Sequence, residues 1–246
     1  MPVVTIARQL GSEGEAIAAL VGRQLEARVL DRELLVEASA RSGIPVESLM
    51  EMDERGRSMF GRPADLVRLV PMPPIDPEAP DVTGDRYPPT GPVQARGQGL
   101  TSPAYWAAEA YATLLGRTMR TEAAEGSVVI VGRGGNEVLR GHPGALHVLV
   151  VAPERLRVQR VMEAEGLEGY HALDRVRRSD RERGRYVRQF YGARWLDPQR
   201  YDLVLNTAQL TAADGAEVVV SAARALAREA GRPAAPAVAA PTLRGA

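Results

Sequence analysis

Residues 2–17 carry an apolar strand, Val3 to Ala7, straight through a glycine turn and into a helix that begins near Glu15. No other stretch constrains the fold as much. A strand that feeds a helix N-terminus through glycines presents backbone N–H groups where the macrodipole also favours an anion. Gly11, Ser12 and Gly14 are therefore candidate phosphate-binding residues, with Arg8 the nearest cation. The phosphate-loop formula G-x-x-x-x-G-K-[ST] uses a lysine to reach the outer phosphates. This chain contains no lysine, and all 31 of its basic residues are arginine. Glu13 and Glu15 also place negative charge where a phosphate would lie. A strand–glycine–helix turn that serves packing alone is the competing reading of this segment.

The rest of the chain alternates between strand and helix periods. Ile17, Leu20, Val21 and Leu25 follow the 3.6-residue stripe of a buried helix face. Val29 and Leu30 lead to Asp31, placed to N-cap a helix carrying Leu34, Leu35 and Ala38 and ending at Gly43. Pro45 opens another helix through about Glu54. Residues 56–102 hold nine prolines without a sustained period, which predicts a mobile insertion with one helical piece at 64–70. A long helix follows from Pro103 to Glu125, then a buried strand from Ser127 to Val131. Gly132 to Gly135 turns into a short helix through Leu139. Leu146 to Val151 is a third buried strand, and Pro153 opens a helix with Leu156, Val158 and Val161 toward the core. A charged helix spans Glu168 to Gln189. A last strand, Asp202 to Leu205, precedes a helix from Ala212 to Arg228.

This alternation predicts an α/β fold: a parallel sheet covered by helices on both faces, in three layers. The expected organisation is one domain over 1–228, with a lid at 168–192 and a disordered tail at 229–246. In such sheets ligands sit at the carboxyl ends of the strands. The turns after Ala7, Leu30 and Val131 all follow strand carboxyl ends and are expected to share one crevice.

Composition removes several function classes. With no cysteine and three scattered histidines, disulfides, thiolate sites and histidine-based metal sites are not expected. There is no run of about 18 apolar residues and no basic-then-apolar leader, so a cytoplasmic protein that does not enter membranes is expected. Zero net charge and 4% aromatic residues count against DNA or RNA binding.

Two further groups can carry chemistry. Arg133, at the end of the second buried strand, offers a planar bidentate fork for phosphate or carboxylate. Residues 175–188 hold seven arginines against Asp180 and Glu182. Arg178, Arg181 and Arg185 lie at i, i+3 and i+7, so one helical face can present three guanidiniums. Asp180 is placed to orient Arg177 or Arg181. The aromatic residues Tyr105, Trp106, Tyr111, Phe190, Tyr191 and Trp195 read as packing rather than base-stacking platforms.

Five segments keep a common order: Ile6 to Gly14, Asp31 to Leu34, Val129 to Gly134, Ser179 to Arg183, and Tyr201 to Thr207. Together they resemble the cytidylate kinase-like family, over about residues 3–228. The resemblance implies a P-loop NTPase-like fold and a nucleoside monophosphate kinase, with ATP and Mg²⁺ as cofactors and CMP or dCMP as acceptor. It also implies roles by position. Gly11, Ser12 and Gly14 match the phosphate loop, and Ser12 would meet the nucleotide's Mg²⁺. Asp31 and Arg32 begin the substrate-side turn, and Arg133 meets the acceptor nucleotide. Arg178, Asp180, Arg181 and Arg185 fall in an arginine-rich lid with catalytic residues. Nucleotides are the implied partners, and a homo-oligomer is allowed. Two departures stand out: at the place of the loop lysine this chain has Gly14 followed by Glu15, and Gly134 replaces the aspartate that usually follows the substrate-side arginine. A nucleotide-binding protein of the same fold with little or no kinase activity, acting as sensor or partner subunit, is the alternative.

Overall fold

The computed structural model describes residues 1–57 and 103–230. The expectations for a Pro-rich insertion, for a helical piece at 64–70 and for the tail beyond residue 230 lie outside the described residues, as do the side chains of Tyr105 and Trp106.

Among the described residues five strands form one parallel sheet: β1 (Val3–Arg8), β2 (Arg28–Leu30), β3 (Val128–Val131), β4 (Ala145–Val151) and β5 (Leu203–Asn206). Their order across the sheet is β2-β3-β1-β4-β5. β1 lies at the centre, pairing Val3 with Val128 on one side and with Ala145 on the other. The chain first builds outward on one side of β1 and then crosses to the other. The carboxyl ends of β1 and β3 therefore border the place where strand order reverses, where ligands collect in open α/β sheets.

The central strands β1, β3 and β4 are largely apolar and are buried on both faces of the sheet. Val4, Ile6, Val129, Val131, Val148 and Val150 face α1 (Gly14–Leu25) and α8 (Ala212–Ala230), meeting Ile17, Val21, Ala216 and Val219. Val3, Val128 and Ile130 turn to the opposite face. There they pack with α2 (Glu33–Ser42), α3 (Val46–Arg57), α4 (Pro103–Glu125) and α5 (Gly135–Val138) through Leu34, Leu35, Leu49, Leu115, Met119 and Val138. The two faces give the three-layer α/β/α arrangement expected from the alternating periods. α3 runs three residues beyond its expected end at Glu54, to Arg57.

α6 (Glu154–Glu165) and α7 (Gly169–Tyr191) form a helical hairpin joined by Val161, Ala172 and Val176. The residue of α6 that is buried beside Val161 is not Leu156 but Arg157. A buried guanidinium must be matched by acceptors, and this one makes contacts in three directions, described below. Among the described residues no helix is long and apolar enough to cross a membrane.

Candidate functional site

The three turns converge. Arg8, the last residue of β1, donates from Nη2 to Asp31 Oδ2 at 3.3 Å, and Asp31 Oδ1 accepts from Arg133 Nη1 at 3.2 Å. Residues from the ends of β1, β2 and β3 thus share one carboxylate. Asp31 was expected to cap α2. Its carboxylate instead bridges two guanidiniums, and the N-cap position falls to Arg32, which makes no side-chain cap bond and is exposed. Two opposed cations outweigh a single orphan N–H as a destination for a carboxylate.

Arg133 is the most heavily bonded member. Its Nε and Nη2 grip the two oxygens of Asp53, on α3, at 3.2 and 3.0 Å, while Nη1 also reaches the Asp31 backbone carbonyl at 2.5 Å. Tyr111 of α4 donates to Asp53 Oδ1 at 2.9 Å. Burial by itself would loosen the Arg133 proton. The charge of Asp53 and the hydrogen bonds it accepts reverse that, and the guanidinium is held above its ordinary value. Burial, and then the same Asp53 charge, push the Tyr111 phenol upward. Both groups keep their protons throughout the physiological range. Arg133 has φ 48°, a left-handed conformation that costs a side chain about 1–2 kcal/mol.

Gly134 explains one departure from the family pattern. Its φ is +73°, and a Cβ there would lie 2.1 Å from the Tyr191 ring. Tyr191 also donates from its hydroxyl to the Arg133 carbonyl at 3.1 Å. The end of α7 thus fills the space that an aspartate side chain at 134 would need.

The glycine loop is anchored from behind. Arg157 Nη1 donates to the Leu10 carbonyl at 3.3 Å, and Arg160 Nη1 to the Gly11 carbonyl at 3.3 Å. The Thr207 hydroxyl donates to the Ser12 carbonyl at 3.1 Å, and Arg160 holds Thr207 in turn. Successive carbonyls are drawn to one side, while α1 opens at Gly14 with no side-chain cap at Glu13. Its first-turn N–H groups have no partner within the helix. That backbone fits a phosphate. The side chains beside it are acidic, however: Glu15 takes Arg8 Nε at 2.9 Å, and Glu13 pairs with Arg160 at 3.2 Å. Ser12 is fully buried and donates its hydroxyl to the Gln9 carbonyl at 2.8 Å. It closes the turn that runs from Gln9. Among the described residues no group of three or more His, Asp or Glu side chains could hold a metal ion.

The charged residues of α7 differ in the partners they take. Asp180 does not orient Arg177 or Arg181. It accepts from Arg157 at 2.9 and 3.2 Å, while Arg177 pairs with Glu154. Arg157 also donates from Nε to the Ala152 carbonyl at 3.0 Å, so one guanidinium joins β4, the glycine loop and α7. Arg178, Arg181 and Arg185 are exposed on α7. Asp174, on the same helix, pairs with Arg178 and lies 3.9 Å from Arg181. The hydrogen bond from Arg178 draws the Asp174 carboxyl below its usual range. The interactions of Arg178 and Arg181 are thus with their own helix, apart from the Arg8–Asp31–Arg133 cluster.

Asp53, Tyr111, Tyr191, Arg157, Arg160 and Thr207 were not among the site residues expected from sequence. Thr207 lay within a quoted segment and Tyr191 among the aromatics. For Arg157 and Arg160 the available signal was their spacing, three apart at the start of a helix that follows a buried strand.

Comparison with known proteins gives a family match, structural matches over most of the chain and a short segment match. The model of the cytidylate kinase-like family matches residues 3–209. A solved structure of an uncharacterized protein from Eubacterium ventriosum superposes with a TM-score of 0.59 at 17% identity, covering 91% of this chain and 99% of that one. TT1252 from Thermus thermophilus gives a TM-score of 0.45 at 21% identity, with 91% and 97% coverage. A 92-residue segment is 35% identical to uronate isomerase from Corynebacterium glutamicum, but it spans 37% of this chain and 18% of that protein.

Proposed function

The chain belongs to the cytidylate kinase-like family, and from that premise we propose that it transfers a phosphoryl group from ATP to a pyrimidine nucleoside monophosphate, CMP or dCMP. The observation that carries this reading is the single Asp31 carboxylate held by both Arg8 and Arg133. It places two guanidiniums, from the ends of two adjacent central strands, at the switch point of the sheet. In this reading the acceptor's phosphate binds between Arg8 and Arg133, and the donor's phosphates lie on the open N–H groups of α1. Phosphoryl transfer is mostly positioning and charge neutralisation. Arg178, Arg181 and Arg185 supply cations from the exposed face of α7 when that helix meets the nucleotide. Mg²⁺ carried on ATP would neutralise further phosphate charge, with Ser12 the loop residue proposed to meet it.

A second reading follows from Glu15. Its carboxylate sits in the first turn of α1 and binds Arg8, where a loop lysine would serve the outer phosphates. A site with that reversal of charge binds nucleotide and turns over slowly, as a sensor or partner subunit would. A coupled ADP-release assay with ATP, Mg²⁺ and a panel of nucleoside monophosphates separates the two. Turnover with CMP that collapses in Arg133→Ala and Arg181→Ala supports the kinase. Nucleotide-dependent thermal stabilisation without turnover on any acceptor leaves the binder.

A further inference from the structure

A guanidinium fork receives a carboxylate and a phosphate in the same planar, two-bond geometry. In the resting crevice that fork is taken. Asp53 fills it, with Arg133 6% and Asp53 12% exposed, and Tyr111 holds the Asp53 carboxylate from the other side. Among the described residues of this cluster two guanidiniums, Arg8 and Arg133, meet three carboxylates, Glu15, Asp31 and Asp53. An entering anion therefore meets a surplus of negative charge unless one carboxylate leaves.

Asp53 is the member whose departure empties the fork, since it takes both Nε and Nη2 of Arg133. Asp31 is tied at two points, since its backbone carbonyl as well as its carboxylate binds Arg133. Glu15 sits on α1, whose Ile17, Ala18 and Val21 are locked against the sheet. Among the described residues of α3, Leu49 is buried in the core and Val46 packs against it, and Asp53 lies one turn beyond Leu49 and reaches the crevice by its side chain.

We propose that Asp53 is an internal competitor and specificity-determining residue, occupying the Arg133 fork until a dianionic phosphate monoester displaces it. A monocarboxylate only exchanges like for like and offers no gain over the two Arg133 bonds that Asp53 already makes. A dianionic phosphate brings a second charge and a third oxygen, enough to engage Arg133 and Arg8 together. The inference rests on the reading of Arg133 as the acceptor-phosphate anchor.

The test is calorimetric titration of the full chain with CMP, with inorganic phosphate and with acetate, at about pH 8, where the phosphates are dianionic. Asp53→Asn keeps the shape of the side chain and removes its charge. It is expected to tighten CMP and phosphate binding on the order of tenfold, the factor carried by one net charge-assisted hydrogen bond. It is also expected to admit acetate, which wild type should reject. Because the variant can also alter folding, wild type supplies a second measurement: amide exchange in Val46–Arg57 should quicken when CMP is added. CMP binding of equal strength in wild type and Asp53→Asn, with unchanged exchange in α3, overturns the Asp53 proposal and leaves the kinase reading intact. Failure of both proteins to bind CMP or phosphate overturns both.

Discussion

Arg157 holds Asp180 through two parallel hydrogen bonds, at 3.2 Å from Nη1 and 2.9 Å from Nη2, and the same Nη1 reaches the Leu10 carbonyl of the glycine loop. One buried guanidinium therefore links the charged helix α7 to the loop that opens α1. Asp180→Ala would strand that charge, with two carbonyls as its remaining acceptors. The expected loss of stability is about 1–3 kcal/mol, read by urea unfolding. Arg181→Ala, on the exposed face of α7, should leave the urea midpoint where it is. Equal effects in the two variants would contradict the separation of α7 into a structural and a solvent-facing set.

Gly134 is predicted to tolerate no side chain while Tyr191 is present. The left-handed backbone alone costs a non-glycine residue about 1–2 kcal/mol, and the ring contact adds to it. Gly134→Ala should therefore unfold at lower urea than wild type. In a double-mutant cycle with Tyr191→Ala the two losses should fall short of additivity, because the ring is what the new methyl strikes. Strict additivity would mean that the backbone conformation is the whole cost.

The acid limb of stability should depend on His147. Burial holds this imidazole below its ordinary value, and Arg140 adds to the effect against the opposing pull of Asp202 and Glu137. The folded state then binds fewer protons than the unfolded chain. The His147 contribution is therefore fully present above the unfolded value of about 6.5 and is lost as pH falls through the depressed folded value. Urea unfolding between about pH 8 and pH 5 should show stability falling with acid, and His147→Gln should flatten that fall. An identical slope in the variant would assign the acid loss to other groups.

How much of this was legible in the sequence follows from which contacts are local. The run Val3 to Ala7 and the glycines after it define β1 and the start of α1 by pattern alone, and the rule for strand carboxyl ends brings Arg8, Asp31 and Arg133 together. Asp53 gave no such signal. It sits among Glu47, Glu51 and Glu54 on a helix, and only tertiary packing selects it to face Arg133, 80 residues away. Arg157 was hidden by its type, since a period argument places apolar residues inside and cannot see a guanidinium buried by its acceptors. The arginine run was visible, but Asp180 within it was assigned to the wrong partner, because the true one lies 23 residues away on the neighbouring helix.

Arg133→Lys is predicted to act as a loss rather than a conservative change. An ammonium cannot span both oxygens of Asp53 while also meeting the Asp31 carbonyl. CMP affinity, measured by calorimetry, should fall on the order of tenfold or more. Retention of wild-type affinity would show that charge alone, without the planar fork, serves the site.

The most direct measurement is a crystal structure of the full chain with CMP and a non-hydrolysable ATP analogue. The account predicts the CMP phosphate between Arg8 and Arg133 and the analogue's phosphates at the N-terminus of α1. Nucleotide bound away from the turns at residues 8–14, 31–33 and 132–135, with the Arg8–Asp31–Arg133 bridge undisturbed, would contradict it.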